Sequence, residues 1–248
     1  MIRSEIDLSN HMIKQIISNK CFLLLLSKIN KMKKLILSFL ICLISTFSYA
    51  QKFGILVDVG SANLNLSNDL EEELVSFNLT QSGILAISGS FLSSFEIGDQ
   101  VYLEPELSYN QKGYMLTYDK TDDLVLKINF IEINPMLRYG VSNQFSIYTG
   151  PYFGYGISGT RDVLEIDFLN GSAGNATITS EEIDFEAENI SQIDYGLNFG
   201  VSYVVNDVLD YRLGYCLGFA NLDASEVDGY SVNSNNIYLK IGYLFGNY

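Results

Sequence analysis

The chain has 248 residues, of which 48% are hydrophobic and 13% aromatic, and its formal net charge is −14. From Gln51 onward, 8 basic residues stand against 27 acidic ones, a formal charge of −19 that argues against nucleic-acid binding, because phosphate contacts need basic patches. The only histidine, His11, and two of the three cysteines precede Gln51, which excludes Ser-His-Asp catalysis and cysteine-based zinc sites from the remainder.

The N-terminal region contains the three parts of a secretory signal peptide. Met32-Lys33-Lys34 is a short basic start, residues 35–47 are mostly apolar, and Ser48 and Ala50 are small residues placed for cleavage after Ala50. We predict a signal peptide over residues 32–50 and regard residues 1–31 as a non-native upstream extension. The alternative is a membrane-anchoring helix, but the apolar run is shorter than the roughly 20 residues that a span needs.

Beyond residue 50, large apolar residues alternate with small or polar ones. Between residues 193 and 203, for example, every odd position is Ile, Tyr, Leu, Phe or Val, and every even position is Asp, Gly, Asn or Ser. This period of two is typical of strands with one apolar face. A phase change near Phe130-Ile131 predicts a bulge in the fourth strand. Eight strands are predicted, over residues 52–65, 84–96, 101–118, 124–139, 145–159, 191–204, 209–222 and 236–248.

The connections between these strands are mostly short at one end and long at the other. Residues 97–100, 141–144 and 205–208 are predicted turns, whereas residues 66–83, 160–190 and 223–235 are predicted long polar loops; the short connection at 119–123 departs from the pattern. An even strand number with such connections is typical of an outer-membrane barrel.

Side-chain volume separates a membrane barrel from a soluble barrel with the same alternation. The last three strands alone carry sixteen large residues on their apolar face, and an eight-stranded barrel has an interior only just wide enough for side chains. We therefore predict an all-β, eight-stranded antiparallel up-and-down transmembrane barrel over residues 51–248. Its apolar face would meet lipid, and Gly, Ser, Asn and Ala would line the lumen. The predicted location is the bacterial outer membrane, after export through the inner membrane.

Three segments carry a family resemblance. Residues 102–113 read YLEPELSYNQKG, residues 130–139 read FIEINPMLRY, and residues 150–153 read GPYF. They resemble the PorT-like outer-membrane β-barrel domain of Bacteroidetes, in which a P-E-L-x-Y-x-x-K-G strand precedes a Y-L-E-I-P-L-like strand and a G-P-Y strand. The stretch Glu132-Ile133-Asn134-Pro135 departs from that pattern by one additional residue. The resemblance implies an outer-membrane location and, through the family's namesake, an accessory role in protein secretion.

Charged residues on the predicted lumen face form a candidate structural network. Unpaired charges in a narrow interior are costly, so opposite signs on neighbouring strands are expected to pair and plug the lumen. The alternatives are a gated polar pore and an outer-membrane hydrolase in which Glu104 and Glu106 act as paired carboxylates at the lumen mouth. The predicted network consists of Glu104, Glu106, Lys127, Glu132, Arg138, Asp194, Arg212 and Lys240.

The loop over residues 160–190 contains eight acidic residues and one basic residue, Arg161. Carboxylate oxygens are calcium ligands, but the spacing matches no EF-hand loop, so we interpret these acids as a solvated surface. No catalytic, cofactor-binding or metal-binding residue is assigned.

These observations lead to a hypothesis of a non-enzymatic, monomeric barrel of structural or binding type. It would lie in outer-membrane lipid with both termini in the periplasm, and its acidic extracellular loops would contact a ligand, a surface protein or a secretion-system partner. It would need no cofactor and bind no nucleic acid. The alternatives are the carboxylate hydrolase and a soluble, lipocalin-like ligand-binding barrel.

Overall fold

The computed structural model describes residues 52–118, 122–169, 172–225, 227 and 229–246. The predicted signal peptide and the predicted upstream extension lie outside the described residues. Within the described ranges, no helix is both long enough and apolar enough to cross a membrane.

The described chain folds into nine strands and one short helix. Their bounds agree with most of the predicted strands to within a few residues. The elements in chain order are β1 (Lys52–Leu66), α1 (Asn68–Ser76), β2 (Leu79–Gly98), β3 (Val101–Tyr118), β4 (Asp122–Gly140), β5 (Phe145–Leu169), β6 (Ser172–Glu182), β7 (Ile193–Val205), β8 (Leu209–Gly218) and β9 (Val232–Phe245).

Eight of the nine strands close a ring. The strands β1 to β5 pair in sequence, β5 also pairs with β7, and β7, β8 and β9 follow until β9 returns to β1, with every pairing antiparallel. The closing pair β1–β9 includes Asp58 opposite Lys240. Closure leaves the ring without an unpaired edge, which a lipid environment requires. The predicted eight-stranded antiparallel barrel is therefore confirmed.

Side chains alternate between the outside and the interior of this ring. In β7 and in β9 beyond Asn236, the odd-numbered apolar residues are exposed and most even-numbered residues are buried. Ile193, for instance, is 61% exposed, whereas the adjacent Asp194 is 0% exposed. Apolar side chains on the outside and charged ones inside suit a barrel in lipid. The soluble, lipocalin-like alternative is therefore wrong.

The strand β6 lies outside the ring and extends one side of the barrel. Among the described strands, its pairing partner is the outer part of β5, from Thr160 opposite Glu182 to Leu169 opposite Ser172. β5 has 25 residues, more than the roughly 9–11 that cross a bilayer, so this hairpin projects beyond the membrane. The prediction of a polar loop over residues 160–190 is wrong for its first part. Residues with high strand propensity form paired strands there instead, such as Val163 opposite Thr179 and Ile178 opposite Leu164.

A second predicted loop, over residues 66–83, contains α1 and the first residues of β2. Asp69 and Glu71 lie in the first turn of α1, where negative charge is favourable beside the positive end of the helix dipole. None of the helix residues is buried. The half-buried Leu70 and Leu74 are four residues apart and so lie on one face of the helix.

A bulge is present near the predicted position, but it lies in the neighbouring strand β5 and not in the fourth strand. Asn129 of β4 pairs with Ser158 and Phe130 pairs with Gly156, which leaves Ile157 of β5 as the additional residue. Even-numbered residues of β4 are buried continuously from Ile128 to Gly140, so β4 keeps its phase.

The interior contains large side chains as well as small ones. Tyr148, Tyr152 and Tyr238 are all buried. Glycines on nearby strands make room for them, since a Cβ atom at Gly214 would overlap the hydroxyl ends of Tyr148 and Tyr238. The expectation of a lumen lined mainly by Gly, Ser, Asn and Ala is therefore incomplete.

Candidate functional site

The turn end of the lumen is crossed by an arginine cluster. Arg212 of β8 lies 2.8 Å from Glu104 Oε2 on β3 and 2.7 Å from Asp210 Oδ2. Arg138 of β4 approaches Glu104 Oε1 at 3.2 Å, and Ser202 donates a hydrogen bond of 2.6 Å to Asp210. Because β3 and β8 lie on opposite sides of the ring, the Arg212 to Glu104 pair spans the interior.

The middle of the lumen is crossed by a second cluster, around Lys240 of β9. Its Nζ atom lies 2.6 Å from Glu106 Oε1 on β3 and 3.6 Å from Asp58 Oδ2 on β1. All three side chains are at most 5% exposed. A single cation thus joins two carboxylates from separate strands, one of them across the barrel.

A third cluster, around Lys112 of β3, lies toward the loop end. Its Nζ atom is 2.6 Å from Glu132 Oε1 and 2.6 Å from Asp194 Oδ2. Asp194 also accepts hydrogen bonds from Tyr152 (3.1 Å) and Ser234 (2.7 Å). These added donors compensate a carboxylate that is withdrawn from water.

Each cation of the three clusters also lies near an aromatic ring, an arrangement that stabilises a desolvated positive charge. Lys112 Nζ lies 4.1 Å from the centroid of the Tyr152 ring. The other pairs are Arg138 with Tyr102 at 4.9 Å, Lys240 with Tyr238 at 4.9 Å, and Arg212 with Tyr148 at 5.4 Å.

The structure brings seven of the eight predicted lumen residues into these clusters: Glu104, Glu106, Glu132, Arg138, Asp194, Arg212 and Lys240. Lys127 is not among them. It is half-buried and alternates with the buried Ile128, which places it on the outer face of β4. The prediction that Lys127 faces the lumen is wrong, because the phase change that it requires in β4 does not occur.

Three cluster members were missed: Lys112, Asp58 and Asp210. Lys112 shares the even-numbered phase of Glu104 and Glu106 on β3, and this phase was the signal that would have found it. In the same way, Asp58 and Asp210 alternate with exposed apolar residues on β1 and β8.

Little open space remains in the charged part of the lumen. The cavity between the Lys112 and Lys240 clusters has a volume of about 10 Å³, which is roughly the space of one water molecule. At the turn end, a pocket of about 100 Å³ is lined by Lys52, Tyr102 and Arg138 among others. Across the part of the chain that the structure describes, five cations and six carboxylates are buried, so the interior charges nearly balance.

Toward the loops, the lumen becomes apolar. Leu64, Ile128, Phe130, Ile183 and Leu222 form a buried cluster, which we call the apolar layer. It lies next to the Lys112 cluster, as the 5.3 Å distance from Lys112 Nζ to the Phe130 ring centroid shows. Water and ions that approach from the loop side thus meet the apolar layer before they reach the buried charged clusters.

A cavity of about 420 Å³, which we call the mouth cavity, adjoins the apolar layer at the loop end. Leu64, Leu126 and Ile128 line its inner part, and Leu70 and Leu74 of α1 line it from the side of the helix. Polar residues that line it include Arg161, Asp162, Glu188, Asn189 and Asp223.

Hydrogen bonds fix α1 beside this cavity. Tyr230, between β8 and β9, donates a hydrogen bond of 2.7 Å to Glu73 Oε2 on α1. The amide of Ser67 donates to the carbonyl of Ser231 at 2.9 Å. The hydrogen bond to the Glu73 carboxylate raises the pKa of the Tyr230 hydroxyl, because it favours the protonated form.

The acidic surface of the loop end contains one interacting arginine. Arg161 lies 3.2 Å from Glu188 Oε2 and 3.4 Å from Glu181 Oε2. These pairs are partly exposed and contribute little to stability. Among the described residues, no group of three or more His, Cys, Asp or Glu side chains has the arrangement of a metal site.

The closed ring, its apolar exterior and its ion-paired interior define a transmembrane β-barrel of the outer membrane. The profile of one family, described as "Outer membrane protein beta-barrel domain", matches residues 49–224. The chain therefore belongs to this family, and the bacterial outer membrane is its location. No curated protein matches the chain.

Solved structures with similarity to the chain include three outer-membrane proteins. Neisserial surface protein A has 15% identity over 78% of this chain and 97% of its own, with a TM-score of 0.44. Ail, the attachment invasion locus protein of Yersinia pestis, is 11% identical to this chain. The match covers 79% of this chain and 99% of Ail, with a TM-score of 0.43. OprG from Pseudomonas aeruginosa is 13% identical to this chain. The match covers 80% of this chain and 97% of OprG, with a TM-score of 0.38.

Proposed function

We propose that this protein is a non-enzymatic, non-conducting barrel of binding type, which acts as a monomer through the mouth and loops at its outer end. The observation that carries the proposal is the ionic network that crosses the lumen. Arg212, Lys240 and Lys112 each join carboxylates from separate strands, and at least one partner of each lies on a strand that is not its neighbour.

Opening a path for ions would require these contacts to break. Removing the partner of a buried charge costs about 3–5 kcal/mol, so an open lumen would be a rare state even if one cluster alone had to separate. The adjoining apolar layer adds a second barrier, because an ion that enters it loses its hydration.

The carboxylate hydrolase is less consistent with this geometry. Glu104 is paired with Arg212 and Arg138, and Glu106 is paired with Lys240. Both glutamates are at most 2% exposed, which leaves neither a free carboxylate nor access for a substrate. General acid or base catalysis needs a group within hydrogen-bond reach of the substrate.

The loop end offers a surface for binding. Its exposed carboxylates include Glu71, Glu72 and Glu73 on α1, Glu181 and Glu182 at the end of β6, and Asp184 and Glu186 just after it. In bacterial barrels the short turns face the periplasm and the longer loops face outward. An outward acidic surface favours a partner with a basic surface and steers it toward the loops.

Reconstitution in a planar lipid bilayer tests the closed lumen. We expect no steady current from the purified barrel, whereas a porin incorporated in the same way verifies that the bilayer reports conductance. Steady conductance steps that grow with salt concentration would refute the non-conducting assignment and favour the polar pore.

We further propose the narrower role that the PorT-like resemblance implies, an accessory function in a protein-secretion assembly. Support for it comes from the three quoted strand segments alone. Crosslinking of intact outer membranes followed by purification of the barrel should recover a secretion component. Recovery of the barrel alone, together with unchanged secretion in a deletion strain, would remove this part of the proposal.

A further inference from the structure

We infer that the mouth cavity binds a small molecule with an apolar body and a cationic head. The inference rests on the proposed function, because it names the ligand for the outer end of a closed barrel. Its volume of about 420 Å³ lies within the range of roughly 300–1,000 Å³ that is usual for small-molecule sites.

The walls of the cavity determine the body of the ligand. Most of the lining side chains are apolar, and they come from β1, α1, β3, β4 and β9 as well as from the connections around them. A site enclosed by aliphatic residues from so many elements favours a compact hydrocarbon portion, since its burial removes apolar surface from water.

The charged residues of the cavity indicate the head group of the ligand. Among the described residues that line the cavity, Asp162, Glu188 and Asp223 carry negative charge, and Arg161 carries positive charge. Arg161 is itself engaged by Glu181 and Glu188. The surrounding loops are also acidic, so a cation is attracted to this end of the barrel and an anion is repelled. An ammonium group with an alkyl or aryl body therefore fits better than a fatty carboxylate.

The helix α1 is the part of the wall that a ligand can displace most easily. None of its residues is buried, although Leu70 and Leu74 line the cavity. The hydrogen bond from Tyr230, which also lines the cavity, to Glu73 holds the helix in place. Because α1 is not part of the ring, its leucines can be replaced without disturbing the strand pairing.

Photoaffinity labelling of the full chain in lipid nanodiscs tests the inference, with a diazirine-bearing alkylammonium of medium chain length as the probe. We expect peptides from the cavity wall to be labelled above the lipid-facing strands, with competition by the unlabelled amine. The double variant Leu70→Ser, Leu74→Ser should lower this labelling about tenfold, because it removes apolar contact area. Val75→Ser is the matched control, since Val75 is 70% exposed on the same helix and does not line the cavity.

A carboxylate probe with the same body tests the head. Weaker labelling of the cavity by the carboxylate supports the cationic assignment, and equal labelling overturns it. Labelling spread evenly over the lipid-facing strands, or insensitivity to the double variant, overturns the site itself. The bilayer measurement is independent of these results: a conducting barrel would refute the proposed function, whereas a closed barrel without cavity labelling would refute only this inference.

Discussion

Replacing Arg212 by methionine tests whether the cross-lumen ion pairs hold the barrel closed and folded. The side chain is 1% exposed and contacts Glu104 at 2.8 Å and Asp210 at 2.7 Å. Methionine preserves most of the volume but leaves two buried carboxylates with fewer partners. Arg138 still approaches Glu104 at 3.2 Å, and Ser202 still donates to Asp210. These remaining contacts place the expected loss near the lower end of the 3–5 kcal/mol range, at about 3 kcal/mol.

The assay is urea unfolding of the barrel in lipid vesicles, followed by circular dichroism, with the free energy of unfolding taken from the transition. Lys127→Met is the matched control, because Lys127 is a half-buried lysine outside the clusters. The double variant Arg212→Met, Glu104→Gln should lose less than the sum of the two single variants, because both remove the same contact. A loss below about 1 kcal/mol for Arg212→Met, equal to that of the control, would refute the reasoning.

Three further predictions concern packing, the α1 contact and the thiol. Gly214→Val should destabilise the barrel by about 1–3 kcal/mol in the same assay, because the added atoms overlap two buried tyrosines, whereas Gly89→Val should change little. Raising the pH should break the hydrogen bond from Tyr230 to Glu73. Because the pKa of Tyr230 is raised in the folded protein, the stabilisation from this contact is fully present below the ordinary tyrosine pKa. It is lost as the pH rises through the raised pKa. The difference between native and Tyr230→Phe protein in ultraviolet titration should report this ionisation. Cys216, which is 4% exposed, should react with a maleimide only after unfolding.

Each of these predictions has a contradicting result. Equal stability of the two glycine variants would mean that the interior tyrosines can move aside. Ionisation of Tyr230 at or below the pH of an exposed tyrosine would show that its contact with Glu73 is absent. Rapid labelling of Cys216 in the folded barrel would reveal a lumen that is open to small reagents.

The ring itself could be predicted because strands in a two-sided environment carry a period of two. On β7 the outward residues are apolar, and the inward ones from Asp194 to Ser202 are small or polar, so pattern and structure agree. The pattern misleads where the interior is also apolar. Ile128 and Phe130 belong to the apolar layer inside the barrel, but they resemble lipid-facing residues in sequence. Because these two residues point inward, the prediction that Lys127 faces the lumen and the prediction of a bulge in the fourth strand are both wrong.

The outer end could not be predicted from local patterns. The mouth cavity depends on α1, on the β5–β6 hairpin and on contacts such as Tyr230 with Glu73, which are 157 residues apart. Similarly, the pairing of Lys112 with Asp194 depends on which strands lie opposite in the closed ring, and single-strand periodicity does not contain this information.

The central claim is that the apolar face meets lipid while the polar face is enclosed, and quenching by lipids tests it directly. The chain contains no tryptophan, so a single introduced indole reports its own position. Phe199 is 45% exposed on the outside and Tyr152 is 0% exposed inside. In bilayers with brominated acyl chains, we predict strong quenching of Phe199→Trp fluorescence and weak quenching of Tyr152→Trp. Strong quenching of Tyr152→Trp, with Phe199→Trp unaffected, would contradict the account.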